Sequence, residues 1–240
     1  TRSRQVTGVQ TCALPILIKE VSSTSTGELK IGFLGTASQS FLSDFIIGFT
    51  ASHPQIKLSM TSDALDILVK QLNDGLTDLA FVTHVDKNYL IGLESKTIMK
   101  SPLIAVMHPT HALANRDSLS IKDLSGFPMI NFSPQANPIT SDFNKQIFKK
   151  AGAQLNIVRE IPNIETAAFC ASINEGVFIM PEYLRSSIGS LRTIPLTDSF
   201  AYVTLNLIWK KKNPNISIPV FVDSFSTYIQ NRTPDLAPAD

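Results

Sequence analysis

From Leu29 onward, short runs rich in β-branched and aromatic residues alternate with segments whose apolar positions recur every three or four residues. LKIGFL at 29–34 reads as a strand, and the polar turn GTASQS leads into a helix through about Ser52 with Phe41, Phe45, Ile46 and Phe49 on one face. His53 and Pro54 stop it, because the residue before a proline is pushed out of the helical region. IKLSM at 56–60 alternates as a second strand. SDALDILVKQLNDG then reads as the clearest helix, with Ser62 or Asp63 as N-cap, Leu65, Leu68, Val69 and Leu72 at helical spacing, and Asn73 to Gly75 as its stop. DLAFV at 78–82 is a third strand. Strands alternating with helices in this way predict βα units around a largely parallel sheet.

A polar loop and the charged stretch LESKTIMKSP separate this series from a second, which starts at LIAVM, 103–107. A short helix at about Ile121 to Leu124 follows, then the strand PMINF and the helix SDFNKQIFKKAG. Next come the strand NIVREI, the helix IETAAFCASINEG behind Pro162 and Asn163, and the short buried strand VFIMP. YVTLNLIWK and the amphipathic ISIPVFVDSFSTYIQ close the pattern, before a polar tail at 232–240. The chain therefore divides into similar halves, about 27–98 and 99–200, each expected to carry its own parallel sheet. If the last strand and helix return to the first half, over 201–231, the chain crosses between lobes twice and leaves a cleft between them. In open α/β sheets ligands bind outside the carboxyl ends of the strands, where loops and helix N-termini gather.

The first residues break this pattern. Val6–Ile16, VTGVQTCALPI, matches the in-frame translation of a short-read sequencing adapter, so residues 1–16 are expected to be an assembly artefact outside the fold. An export signal fits poorly, because Thr7, Gly8, Gln10 and Thr11 interrupt the apolar core that such a signal needs.

Charge narrows the function classes. Lys and Arg total 21 against 20 Asp and Glu, so the basic balance of a nucleic-acid-binding chain is missing. The densest basic run, Lys210 to Lys212, sits at a strand end before Asn213 and Pro214 and reads as a solvated terminus. Once Cys12 is set aside with the artefact, Cys170 remains, in the apolar run TAAFCASI, where it reads as a small buried hydrophobe. No disulfide framework or membrane-length apolar stretch is present, which points to a reducing, cytoplasmic setting. His53, His108 and His111 lie in loop or strand-end contexts. No motif of a serine hydrolase, zinc protease, P-loop or dithiol occurs, so neither an enzyme nor a cofactor or metal is expected.

GELKIGF at 27–33, HPQIKLSM at 53–60, LVKQLNDGLTDLAFV at 68–82, PLIAVMHPTHALA at 102–114, LSIKDLSGFPMINF at 119–132 and INEGVFIMPEYL at 173–184 come in a distinctive order and spacing. Together, over about Thr26 to Gln230, they resemble the effector-binding domain of a LysR-type transcriptional regulator. The resemblance implies a two-lobed type 2 periplasmic-binding-protein-like α/β fold, two Rossmann-like subdomains joined by two crossover strands. It also implies a homodimer or tetramer assembled through this domain, and DNA binding only through an N-terminal winged helix-turn-helix that this chain lacks. LIKEVSSTST, 17–26, stands where the linker helix ends. A solute-binding protein of a transport system is the alternative on the same fold, and it would need an export signal.

The candidate effector site follows from polar residues after strands. Thr36 and Ser38 follow the first strand, Ser62 the second, and Thr83 and His84 the third; across the cleft stand Ser133 after MINF and Asn163 before the next helix. Their hydroxyls and amides, with the free N–H groups of first helical turns, suit a small anion such as an organic acid. Ile164 and Phe178 are the expected apolar wall.

Overall fold

The computed structural model describes residues 27–34, 39–83 and 90–232, so the expectations for 1–26 and for the tail lie outside the described residues. Strand β1 (Gly27–Phe33) lies between β2 (Ile56–Ser62) and β3 (Leu79–Thr83), parallel to both. Helix α1 (Gln39–Ser52) covers one face of this sheet together with the closing helix α5 (Ser217–Arg232), and α2 (Leu65–Asp74) covers the other. Aromatic edges hold the first layer: Phe45 meets Phe221 and Phe225 edge-on at 5.2 and 4.7 Å. Such contacts add about 0.5–1.5 kcal/mol each to their area burial.

α2 begins differently from the expectation. Its N-cap is Ala64, without a side-chain cap, because Ser62 completes β2 and the Asp63 carboxylate accepts from Gln71 Nε2 at 2.9 Å. Its stop is as expected, with Gly75 left-handed at φ 72° and its N–H returned to the last turn.

The charged stretch LESKTIMKSP is strand. It forms most of β4, a 15-residue strand over Leu93–Met107. Residues 93–102 pair antiparallel with β9 (Tyr202–Lys210), and residues 103–107 pair antiparallel with β7 (Phe178–Pro181) and β8 (Arg192–Pro195). β9 also pairs antiparallel with β3, so one sheet of seven strands runs from β2 through the β9 and β4 crossovers to β7 and β8. The large sheet is therefore mixed and not purely parallel, since β9 runs against both of its neighbours, β3 and β4. A separate parallel pair, β5 (Pro128–Phe132) and β6 (Asn156–Ile161), lies beside helices α3 (Pro138–Ala151) and α4 (Ile164–Ser172). β8 and a 3-10 segment over Glu182–Ile188 add to the elements expected from the sequence.

The apolar core follows this division. One pair of clusters gathers α1, α2, α5 and the first three strands, and a second pair gathers α3, α4 and strands β5 to β8. β4 contributes to both, Ile98 and Met99 to the former and Leu103 to Met107 to the latter, which ties the two units along one strand. Tyr183, at the turn after β7, packs against three of the four clusters, and burial pushes its phenol pKa above the ordinary value.

Candidate functional site

The carboxyl ends of the parallel strands form two rims. In the first, Phe33 of β1 stands in register with Ser62 of β2 and Phe81 of β3, which puts Ser62 and Thr83 at one edge of the sheet. Thr83 is also the last β3 residue paired with β9, opposite Leu205. Beyond that point the next residues of β9 continue toward the second unit. In the second rim Phe132 and Ile161 end β5 and β6 in register, and Ser133 N–H donates to the Ile161 carbonyl at 2.8 Å.

Two helices start at this second rim. Asn137 caps α3 by accepting from Thr140 N–H at 3.1 Å, and Pro138 opens the helix. Asn163 caps α4, its amide oxygen accepting from Thr166 N–H at 2.9 Å and from Thr166 Oγ1 at 2.8 Å. Ile139, in the first turn of α3, packs against the cluster of Leu65, Val82 and Ile208 from the other unit. Leu65 opens α2 and Val82 is the penultimate residue of β3, so the start of α3 is held against the first rim.

The expected site residues separate on this frame. Ser62 is exposed at its strand end, and Thr83 is half-buried. Ser133 is half-buried and accepts from Ala136 N–H at 3.2 Å while donating to Gln135 Oε1 at 3.0 Å. Ile164 is partly buried against the α4 core. Thr36, Ser38 and His84 lie outside the described residues. Phe178 is not a cleft wall: it is 1 % exposed and packed among Ile104, Val106, Ile161 and Met180, with no surface to offer a ligand.

A polar network on the crossover strands was not foreseen. Thr97 Oγ1 donates to Asn206 Oδ1 at 2.8 Å, and Asn206 Nδ2 donates to Thr204 Oγ1 at 3.1 Å. Asn206 is 6 % exposed and opposite Val82, one residue before the end of β3. The signal in the sequence was the lone amide inside YVTLNLIWK. A buried amide costs free energy unless bonded, so this one pins the register of β4 on β9 where the chain crosses.

Among the described residues, no group of His, Cys, Asp and Glu is arranged to hold a metal ion. Burial pushes the Cys170 thiol pKa up and the hydrogen bond to Glu175 adds to the rise, the reverse of an activated thiolate. The Arg159 guanidinium beside Glu175 holds that carboxyl below the usual range. Among the described residues, no helix is long and apolar enough to cross a membrane.

Two α/β units, joined by two long antiparallel crossover strands and meeting at their strand ends, define a two-lobed ligand-binding fold of the type 2 periplasmic-binding-protein kind. The LysR substrate binding domain matches residues 22–228, and the chain belongs to that family. Its curated relatives are named as transcriptional regulators and not as enzymes. HTH-type transcriptional regulator AlsR of Bacillus subtilis (strain 168) is 26 % identical over 90 % of this chain and 71 % of its own length. HTH-type transcriptional regulator YwbI, uncharacterized, from the same strain is 23 % identical over 81 % of this chain and 64 % of its own. The chain thus spans roughly two thirds of these relatives. Among solved structures, the effector binding domain of a BenM variant superposes with a TM-score of 0.78 at 18 % identity, covering 89 % of this chain and 99 % of that one. The effector binding domain of QuiR in complex with shikimate superposes at 0.74 with 21 % identity, covering 86 % and 99 %.

Proposed function

We propose that this chain senses a small-molecule effector, an organic acid or related metabolite, on behalf of a longer cytoplasmic regulator that binds DNA through a separate N-terminal module. Residues 27–98 with 201–231 form one lobe and 99–200 the other, and the effector lies between their strand-end rims. Thr36, Ser38, Ser62, Thr83 and His84 serve it from one side, Ser133, Asn163 and Ile164 from the other. The observation that carries this reading is the seating of Ile139 against Leu65 and Val82, which brings the start of α3 to the end of β3. The shikimate in QuiR, an organic acid in a domain of the same fold, supports the ligand class.

A ligand shifts an equilibrium between lobe orientations only through its differential affinity for the two arrangements. A ligand touching both rims has that property, since its contacts are complete only when the rims are close. The shift would pass to the DNA-binding modules through a homodimer or tetramer formed by this domain. The exposed side of α1, where Ile47 is 71 % accessible, is the candidate for half of that interface.

A thermal-shift screen of organic acids identifies the ligand, and calorimetry on Ser133→Ala and Thr36→Ala tests the site. Loss of a hydrogen bond to a charged group costs about 1.5–3 kcal/mol, or about ten- to a hundredfold in affinity. Unchanged affinity in both variants would refute the placement.

A further inference from the structure

A groove of about 240 Å³ opens between α3 and the start of β9. Phe143, Gln146, Ile147 and Lys150 line it from the helix, and Phe200 and Tyr202 from the strand and the turn before it. It is distinct from the strand-end rims, since none of Ser62, Thr83, Ser133 and Asn163 lines it. Three of its six lining residues are aromatic, and the one charged residue among them, Lys150, is a cation.

Lys150 Nζ stands 4.5 Å from the centroid of the Phe200 ring, and Lys100 Nζ, from β4, stands 3.8 Å from that of Tyr202. No acidic side chain lines the groove. Among the described residues, neither lysine has a carboxylate within ion-pair distance. Lys149 and Lys150 both lie in the last turn of α3, where positive charge complements the helix dipole. That explains the lysines on the helix but not Lys100, which comes from another element and meets the neighbouring aromatic ring. An ammonium over a ring face satisfies only part of its donor capacity, and the remaining N–H groups suit an anion.

The geometry points to a second small-molecule site in this groove, for a single-ring aromatic carboxylate. Its carboxylate pairs with Lys150, its ring lies against Phe143 and Phe200, and Lys100 adds positive charge from the Tyr202 side. The volume is below the range of about 300–1,000 Å³ typical of drug-sized ligands, which restricts the occupant to one ring. The inference does not rest on the rim site.

The test is a fluorine NMR titration of the full chain with 4-fluorobenzoate as the probe. Saturable broadening at millimolar concentration is expected in the parent chain, with about tenfold or greater weakening in Lys150→Met, retention in Lys150→Arg, and affinity within about twofold of the parent in Ser133→Ala. Lys150 is exposed, so an unchanged melting temperature confirms that the variants fold. Absence of saturable binding, parental affinity in Lys150→Met, or weakening by Ser133→Ala instead would overturn the proposal. The last result would place the probe at the rim and leave the effector reading standing.

Discussion

Gly176 sits where the chain leaves α4 and enters β7, and its missing side chain is a structural requirement. A Cβ built there falls 2.7 Å from the Pro128 carbonyl oxygen, 3.1 Å from its carbon and 3.4 Å from Ile130 Cγ1. The obstacle is backbone, not the flexible end of a side chain. The same Pro128 carbonyl accepts from Val177 N–H at 2.9 Å, and Ile130 N–H donates to the Val177 carbonyl at 2.8 Å, so these two bonds join β5 to the start of β7. In Gly176→Ala the carbonyl must retreat by several tenths of an ångström, or β7 must lift away and stretch both bonds. Overpacking of this kind costs about 1–3 kcal/mol. Weakening one backbone hydrogen bond adds about 0.5–1.5 kcal/mol. The expected loss is therefore about 2–4 kcal/mol, which for a chain of this size lowers the melting temperature by about 5–15 °C. Thermal unfolding followed by circular dichroism reads the shift directly. A melting temperature within about 2 °C of the parent would show that the β5–β7 approach is slack and refute the argument.

Two further substitutions have outcomes set by the same kind of local packing. Gly48, inside α1, has nothing within 4 Å of a built Cβ, so Gly48→Ala should raise stability by about 0.5–1 kcal/mol in denaturant unfolding; a decrease would mean that α1 is crowded there. Burial holds the His111 pKa below its ordinary value, and its Nδ1 accepts from Leu113 N–H at 3.2 Å while the ring tilts over Phe127. The unfolded chain then takes up this proton first, so the contribution of neutral His111 is fully present above about pH 6.5 and is lost as pH falls through the folded pKa. His111→Phe should flatten the fall in melting temperature between neutral pH and about pH 5, and an NMR titration placing His111 at or above about 6.5 would contradict the burial argument.

Gly176 also shows what the sequence can and cannot convey. INEGVFIMP carried a recognisable glycine, but its reason is a carbonyl some fifty positions earlier, beyond the reach of local pattern. Elements with clean periodicity were legible, among them α2 from its leucines and Gly75. β4 was not. Its register shifts between Thr97 and Met99, so Ile98 and Met99 are both buried in succession, and with Ser101 buried as well the period of two is lost.

The site was legible to a different depth. The order of strands and polar turns is enough to say which residues end parallel strands, because a parallel βα unit always returns its helix to the same edge. Order alone does not say whether a polar side chain at that edge faces a ligand or is already committed to its own backbone. Asn163 spends its amide oxygen on Thr166, and Ser133 spends its hydroxyl within its own turn, so for both a ligand must compete with an existing bond or use the opposite polar atom. Ile139 precedes SDFNKQIFKKAG, the stretch that reads as helix, and only the packing of α3 over Leu65 and Val82 makes it a contact between the two units. A contact of that kind tunes a two-state sensor without touching its ligand: trimming it weakens the closed arrangement, and the apparent affinity falls by the fraction of competent molecules lost.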